Sequence, residues 1–160
     1  MPNGTSQRAV VHEQPVGLVL ELHYRRLDEM LDRVEMAVEI GSWREARGGF
    51  ARFQTELEIH MRLEEDLMFP SFEAFTGPGF GPPAVMRAEH GQIRGFLAAI
   101  EGLLRDEQPI DEAADALETL LSAHNAKEER IVYPLFERHA PGEAYAALNL
   151  ELRQLIGMAG

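Results

Sequence analysis

The chain contains no cysteine. That excludes disulfides, thiolate ligands, iron–sulfur clusters and a cysteine nucleophile. Any bound metal is held through nitrogen and oxygen, which favours zinc, iron, manganese or copper over metals that need sulfur. No apolar run approaches the roughly 20 residues that span a bilayer. The opening stretch MPNGTSQRAVVHEQ lacks the apolar centre and small-residue cleavage site of a signal peptide. A cytoplasmic protein with no membrane partner is therefore expected. Positive charge is also scarce: 15 Lys and Arg stand against 27 Asp and Glu, a net charge of −12. Such a surface repels phosphate backbones, so no nucleic-acid partner is expected. Period-two alternation is missing too, and no Asn-Gly or Asp-Gly separates apolar runs, so strands are not expected.

What is there is helical. The 160 residues, 45% of them apolar, suit one domain with one core. Residues 1–14 read as a flexible tail and 15–160 as the domain. A first helix is expected over about 15–40, with Leu20, His23, Leu27, Met30 or Leu31, Val34 and Val38 on its inner stripe. The second opens on the capping box Ser42-Trp43-Arg44-Glu45. Its stripe is Trp43, Ala46, Phe50, Phe53, Leu57, His60, Glu64 and Leu67. TGPGFGPP, residues 76–83, is the clearest loop. The third helix carries Met86, His90, Ile93, Leu97, Ile100 and Leu104. The fourth starts near Asp111 and carries Ala113, Leu117, Leu120, His124, Glu128, Ile131 and Leu135. A shorter helix over about 143–156 ends the chain. Pro70 and Pro134 sit late in the second and fourth helices, where each should kink its helix or begin its end. The expected fold is all-α: an up-down-up-down four-helix bundle with a short C-terminal fifth helix.

One phrase occurs twice. HMRLEEDLMFP begins at His60, and HNAKEERIVYP begins at His124. Both read His-x-x-x-Glu-Glu-x-x-x-aromatic-Pro. In each, histidine and glutamate share one helix face and can present a nitrogen and an oxygen to one point. Six polar residues thus fall on the four apolar stripes: His23, His60, Glu64, His90, His124 and Glu128. A lone histidine on such a stripe is ordinarily a hydrogen-bonded core residue. A core-facing glutamate is harder to accommodate, because an unpaired buried carboxylate costs several kcal/mol or gives up its charge. No lysine or arginine lies on these stripes to neutralise the pair, and a shared cation would. His23 and His90 lie about eight and seven residues into rising helices, roughly 12 Å and 10 Å along them. The two His–Glu pairs lie about eight residues, roughly 12 Å, before the prolines of descending helices. All six therefore converge on one layer. Four imidazoles and two carboxylates exceed one tetrahedral zinc site and suit two bridged metals, iron first, with manganese or zinc behind it.

The order His, His-x-x-x-Glu, His, His-x-x-x-Glu, with EEDLMFP, EERIVYP and MRAEH, resembles the hemerythrin-like (HHE cation-binding) family from about Val16 to His139. The resemblance implies two non-haem irons with an oxo or hydroxo bridge. It makes His23, His60, His90 and His124 the imidazole ligands and Glu64 and Glu128 the bridging carboxylates. It implies a small ligand: dioxygen, peroxide or nitric oxide. Sensing, detoxification and iron or oxygen homeostasis remain open, as does a redox or signalling partner protein. The oxygen carriers of the family have a further histidine on the third helix. Here Met86 and Arg94 flank His90 instead, which argues against simple reversible oxygen transport. No protein nucleophile or general base is evident, so any chemistry belongs to the metals and catalysis by side chains is not assigned. The rivals are a metal-independent helical scaffold and a structural zinc or manganese bundle.

Other residues carry two readings. Glu65, Glu89 and Glu129 read first as solvated or surface-paired, with a hydrogen bond to a ligand histidine as the alternative. Tyr133 and Phe69 read as packing. A tyrosine ligand, from Tyr24 or Tyr133, is the alternative to the missing histidine. His12 and His139 read as non-ligands, and Met30, Met61, Met68 and Met86 as core or boundary filler.

Overall fold

The computed structural model describes residues 14–77 and 79–158. All but Gln14 of the expected tail, His12 included, lies outside the described residues. The helices are α1 (Val16–Glu39), α2 (Trp43–Leu63), α3 (Phe69–Thr76), α4 (Pro82–Arg105), α5 (Asp111–Lys127), α6 (Tyr133–His139) and α7 (Gly142–Met158). Two π-helical turns, Glu64–Met68 and Glu128–Val132, join α2 to α3 and α5 to α6 without a break. No strand occurs among the described residues. α1 packs on α2, α2 on α4, α4 on α5, and α5 back on α1. Short loops between successive long helices make them antiparallel neighbours. The expected bundle is thus found, with α7 as its fifth helix, laid across α1, α2 and the first π turn. Among the described residues no helix is long and apolar enough to cross a membrane.

The stops follow local chemistry. After α1, Gly41 takes φ +75°, while Ser42 N–H donates to Ala37 O and Gly41 N–H to Val38 O. That is the Schellman pattern, and the left-handed residue is glycine because a Cβ is disfavoured there. α4 ends the same way through Gln108 N–H to Leu103 O, but its left-handed residue is Glu107, at φ 53°. The capping box closes differently from expectation. Ser42 Oγ donates to Glu45 Oε2 at 3.0 Å, and its side chain caps no backbone N–H.

The prolines do more than kink the chain. Pro70 and Pro134 have no N–H, so an i−4 bond is lost at each. The residue before each proline bonds five back rather than four: Phe69 N–H to Glu64 O, and Tyr133 N–H to Glu128 O. The helix thereby takes in one extra residue, which shifts the phase of its buried face. Two expected stripe positions are corrected by this shift. Met68 is buried in place of Leu67, which is half-buried. Val132 is 1% exposed in place of Ile131, which is 49% exposed. Arg87 Nη2 donates to Glu65 O at 3.0 Å, supplying a donor where Phe69 N–H has turned to Glu64. On α5, Ala114 and Leu121 are buried and Ala113 and Leu120 half-buried, a one-residue rotation of the expected stripe.

α1 and α5 face each other through acids. Burial, with Glu118, Asp32 and Asp115 nearby, lifts the Glu35 carboxyl from 4.5 to about 7. A raised folded pKa means that the contribution of Glu35 to stability is fully present below about 4.5 and is lost as pH rises through about 7. Glu35→Gln should therefore stabilise the protein at pH 8, by on the order of 1 kcal/mol after solvent screening, and leave it unchanged near pH 4. Urea unfolding at the two pH values tests this. Glu107→Gly should raise stability by about 1 kcal/mol by relieving the left-handed backbone. An unchanged urea midpoint would count against that strain.

Candidate metal centre

The centre is built where the first third of α1 and of α4 meet the ends of α2 and α5. His60, Glu64, His90, His124 and Glu128 are each 0% exposed and His23 is 4% exposed. No lysine or arginine bonds either buried glutamate among the described residues. One ligand atom each from Glu64, His90, His124 and Glu128 can be chosen so that all four lie within 4.8 Å of one another. His90 Nε2 is 3.6 Å from Glu64 Oε1 and 3.8 Å from Glu128 Oε1. His124 Nε2 and Glu128 Oε1 approach to 2.7 Å, the i, i+4 geometry of the repeated phrase. His60 Nε2 reaches Glu64 Oε1 at 3.4 Å, the same geometry in the first copy.

His23 stands apart from that group. Its Nδ1 meets His60 Nδ1 at 2.7 Å, so one of the two carries the bridging proton. Its Nε2 lies 4.0 Å from Glu56 Oε2. The six expected residues thus form one connected cluster, five of them around the glutamates and His23 joined through His60.

Two tyrosines complete the interior. Tyr24 Oη donates to Glu128 Oε2 at 3.0 Å and to Glu64 Oε1 at 3.4 Å. Tyr133 Oη donates to Glu64 Oε2 at 3.2 Å and, in a shorter contact, to Glu128 Oε2. It also lies 3.4 Å from His60 Nε2. The packing reading of Tyr133 is therefore incomplete, because its hydroxyl is part of the site. Gly17 makes room for it: a Cβ there would meet Tyr133 Cβ at 3.0 Å. Phe69 does pack, 5.6 Å from the His90 ring.

A layer of ion pairs stands behind the histidines. Glu65 Oε1 lies 2.8 Å from His90 Nδ1 and accepts from Arg94 Nη2 at 2.7 Å. Arg94 is held in turn by Glu58. Glu89 Oε2 lies 3.4 Å from His124 Nδ1, and Lys127 Nζ bonds its other oxygen at 2.5 Å. For Glu65 and Glu89 the structure supports the histidine-partner reading. Glu129 and His139 are exposed.

Protonation follows burial and neighbours. Burial and then Glu128 push the Glu64 carboxyl well above its usual range. Burial pushes Glu128 the same way, but the close approach of the His124 and His90 imidazoles outweighs it and holds Glu128 well below that range. Burial lowers the His23 imidazole to about 4, against an opposing pull from Glu56. His60 is also pushed well down, by burial and by His23. Burial would lower His124 too, but the Glu128 carboxylate beside it raises it overall. Both tyrosines are pushed well up, by burial and then by Glu128, and keep their protons.

Whether these residues fit a metal can be judged from their free atoms. His23 Nε2, His90 Nε2, His124 Nε2 and Glu128 Oε1 are buried without a hydrogen bond. The contact of His124 Nε2 with Glu128 Oε1 is close but lacks hydrogen-bond alignment. Buried polar atoms are almost always paired. Apart from the amide oxygen of Asn125, the unpaired side-chain atoms among the described residues are these four, and they make a nitrogen and oxygen donor set of the kind that takes zinc, iron or manganese.

Comparison with known proteins agrees. A family model described as the hemerythrin HHE cation binding domain matches residues 12–136. Uncharacterized proteins of Mycobacterium bovis and of two Mycobacterium tuberculosis strains are 33% identical to the chain over 85 residues, covering 53% of the chain and 50% of each relative. The chain thus spans about half the length of the curated relatives it matches. No solved structure matches it.

Tyr133→Phe removes a donor from both buried carboxylates. It should lower the stability of the metal-free protein by about 1–3 kcal/mol, read as a shifted urea midpoint in the presence of chelator. No shift would mean that the phenol hydroxyl does not hold the carboxylates.

Proposed function

The chain belongs to the hemerythrin HHE cation-binding family, and from that premise we propose that it is a non-haem di-iron protein that handles dioxygen, peroxide or nitric oxide. The observation that supports this best is the set of four buried, unbonded donor atoms on His23, His90, His124 and Glu128. In this reading His23, His60, His90 and His124, with Glu64 and Glu128, would hold the irons. When bound, the irons supply redox and Lewis-acid chemistry. The chain supplies the rest. Glu65 and Glu89 hold His90 and His124 with their Nε2 atoms inward. Tyr24 and Tyr133 keep hydroxyl protons against the carboxylates. Leu20, Leu27, Phe53, Leu57, Ile93 and Leu97, each 0–2% exposed, exclude bulk water. A groove of about 480 Å³ between α1 and α5, lined by Glu21, Tyr24, Asp28, Glu118, Asn125 and Glu129, gives a small molecule a way to the wall formed by Tyr24.

A metal-independent bundle is the second reading. It is favoured by the tyrosine hydroxyls, which give both carboxylates donors without a cation. A structural zinc or manganese site uses the same donors. Elemental analysis of protein purified without chelator or affinity metal separates the three. The expected result is about two irons per chain, with oxo-bridged ferric absorption in the near ultraviolet that is lost in His60→Ala. Zinc or manganese alone would point to the structural site. No metal, and no anaerobic uptake of ferrous iron, would leave the bundle reading.

A further inference from the structure

We propose that the centre is built to load unequally: the position formed by Glu64, His90, His124 and Glu128 takes the first divalent cation, and the position served by His23 and His60 takes a second one more weakly. The inference rests on the reading of the cluster as a two-metal site and goes beyond it to the order and relative affinity of its halves. Three independent features distinguish the halves.

The first is convergence. The four residues of the first position present one donor atom each within 4.8 Å, and His23 and His60 are not among them. The second is which atoms are already bonded. Three donors of the first position, His90 Nε2, His124 Nε2 and Glu128 Oε1, have no hydrogen bond, against one, His23 Nε2, in the second. On the other side, Glu128 Oε2 and Glu64 Oε2 are tied to tyrosine hydroxyls, and Tyr133 Oη also stands 3.4 Å from His60 Nε2. A cation entering there must displace those contacts.

The third is the backing of the imidazoles. A carboxylate on Nδ1 fixes the proton there, turns the Nε2 lone pair inward and raises ligand basicity. His90 has Glu65, pinned by Arg94, and His124 has Glu89, pinned by Lys127. His23 and His60 have only each other, Nδ1 to Nδ1 at 2.7 Å. With those nitrogens facing, the two Nε2 atoms point apart, one toward Glu56 and one toward Glu64. That pair must rearrange before both lone pairs reach one ion. Glu65, Glu89, Arg94 and Lys127 are accordingly positioning residues for the first position alone.

The test is an anaerobic titration of the metal-free full chain with Co(II), followed by visible absorption and by calorimetry. The wild type should bind one equivalent about tenfold or more tightly than a second. Glu65→Gln should weaken the first equivalent by about 10–100-fold and bring the two phases together, and Glu89→Gln should do the same by a separate route. His23→Leu should remove the second equivalent and spare the first. Arg62→Gln, which strips a bond from Glu58 but none from Glu65, should change neither. Circular dichroism of each variant shows that it folds. Two equivalents bound in one phase of equal affinity would overturn the inference, as would a His23→Leu variant that weakens the first equivalent. A wild type that binds no Co(II) at all would overturn the two-metal reading itself, a result distinct from single-phase binding.

Discussion

Two carboxylates, Glu64 and Glu128, sit at full burial with no lysine or arginine bonded to them among the described residues. An interior of low polarity does not tolerate two such charges side by side. Around this constraint the rest of the centre makes sense. One of the pair is pushed toward its neutral form and the other is held ionised by His124 and His90. Two phenol hydroxyls point at them from α1 and α6. The basic side chains nearby are one shell out, on Glu65 and Glu89, where they steady the histidines rather than neutralise the centre. A direct Arg–Glu64 pair would satisfy the carboxylate and close it to any cation. Keeping the arginines behind a second carboxylate leaves the inner donors free.

The π turns tie backbone to centre. Each begins on a buried glutamate and closes on the aromatic residue just before a proline. On the second copy that aromatic residue is Tyr133, so the extra residue of the wide turn sets where its hydroxyl arrives. The first copy places Phe69 at the equivalent position, against the His90 ring rather than among the carboxylates. Two copies of one phrase therefore build unlike halves. The difference of a single hydroxyl gives one side of the centre a hydrogen-bond donor and the other an aromatic wall.

Much of this was legible in the sequence because it depends on period. The stripes Met86, His90, Ile93, Leu97, Ile100 and Leu104 are buried as read, and the i, i+4 spacing brings His60 to Glu64 and His124 to Glu128. Two of the readings that failed did so where period changes. Leu67 and Ile131 were placed inside by counting on at 3.6 residues per turn through what is a π turn, and proline signalled a disturbance without showing that the helix would widen. The phenol hydroxyls stood only as an alternative, for another reason. Tyr24 follows His23 directly, and adjacent helical residues point about 100° apart, so a single-helix count separates them; only the packed bundle brings both to one centre. The close approach at Gly17 belongs to the same class, a contact between chain segments far apart in sequence.

Arg94 shows how a departure from family pattern can be a construction of its own. It stands one turn after His90, where an imidazole would be a natural further ligand. Its guanidinium turns outward instead, bonds Glu58 and Glu65, and through Glu65 reaches the far side of the His90 ring. One position that would have donated to a metal now holds the residue that orients a donor. The interior loses an imidazole and keeps two phenols beside its carboxylates. The carriers of the family have a further imidazole that this chain lacks. A centre with fewer imidazoles and two hydroxyl protons against its buried carboxylates suits a protein that reacts with, or reports on, a small oxidant. That contrast is why we read the chain as a handler of dioxygen, peroxide or nitric oxide rather than as an oxygen store.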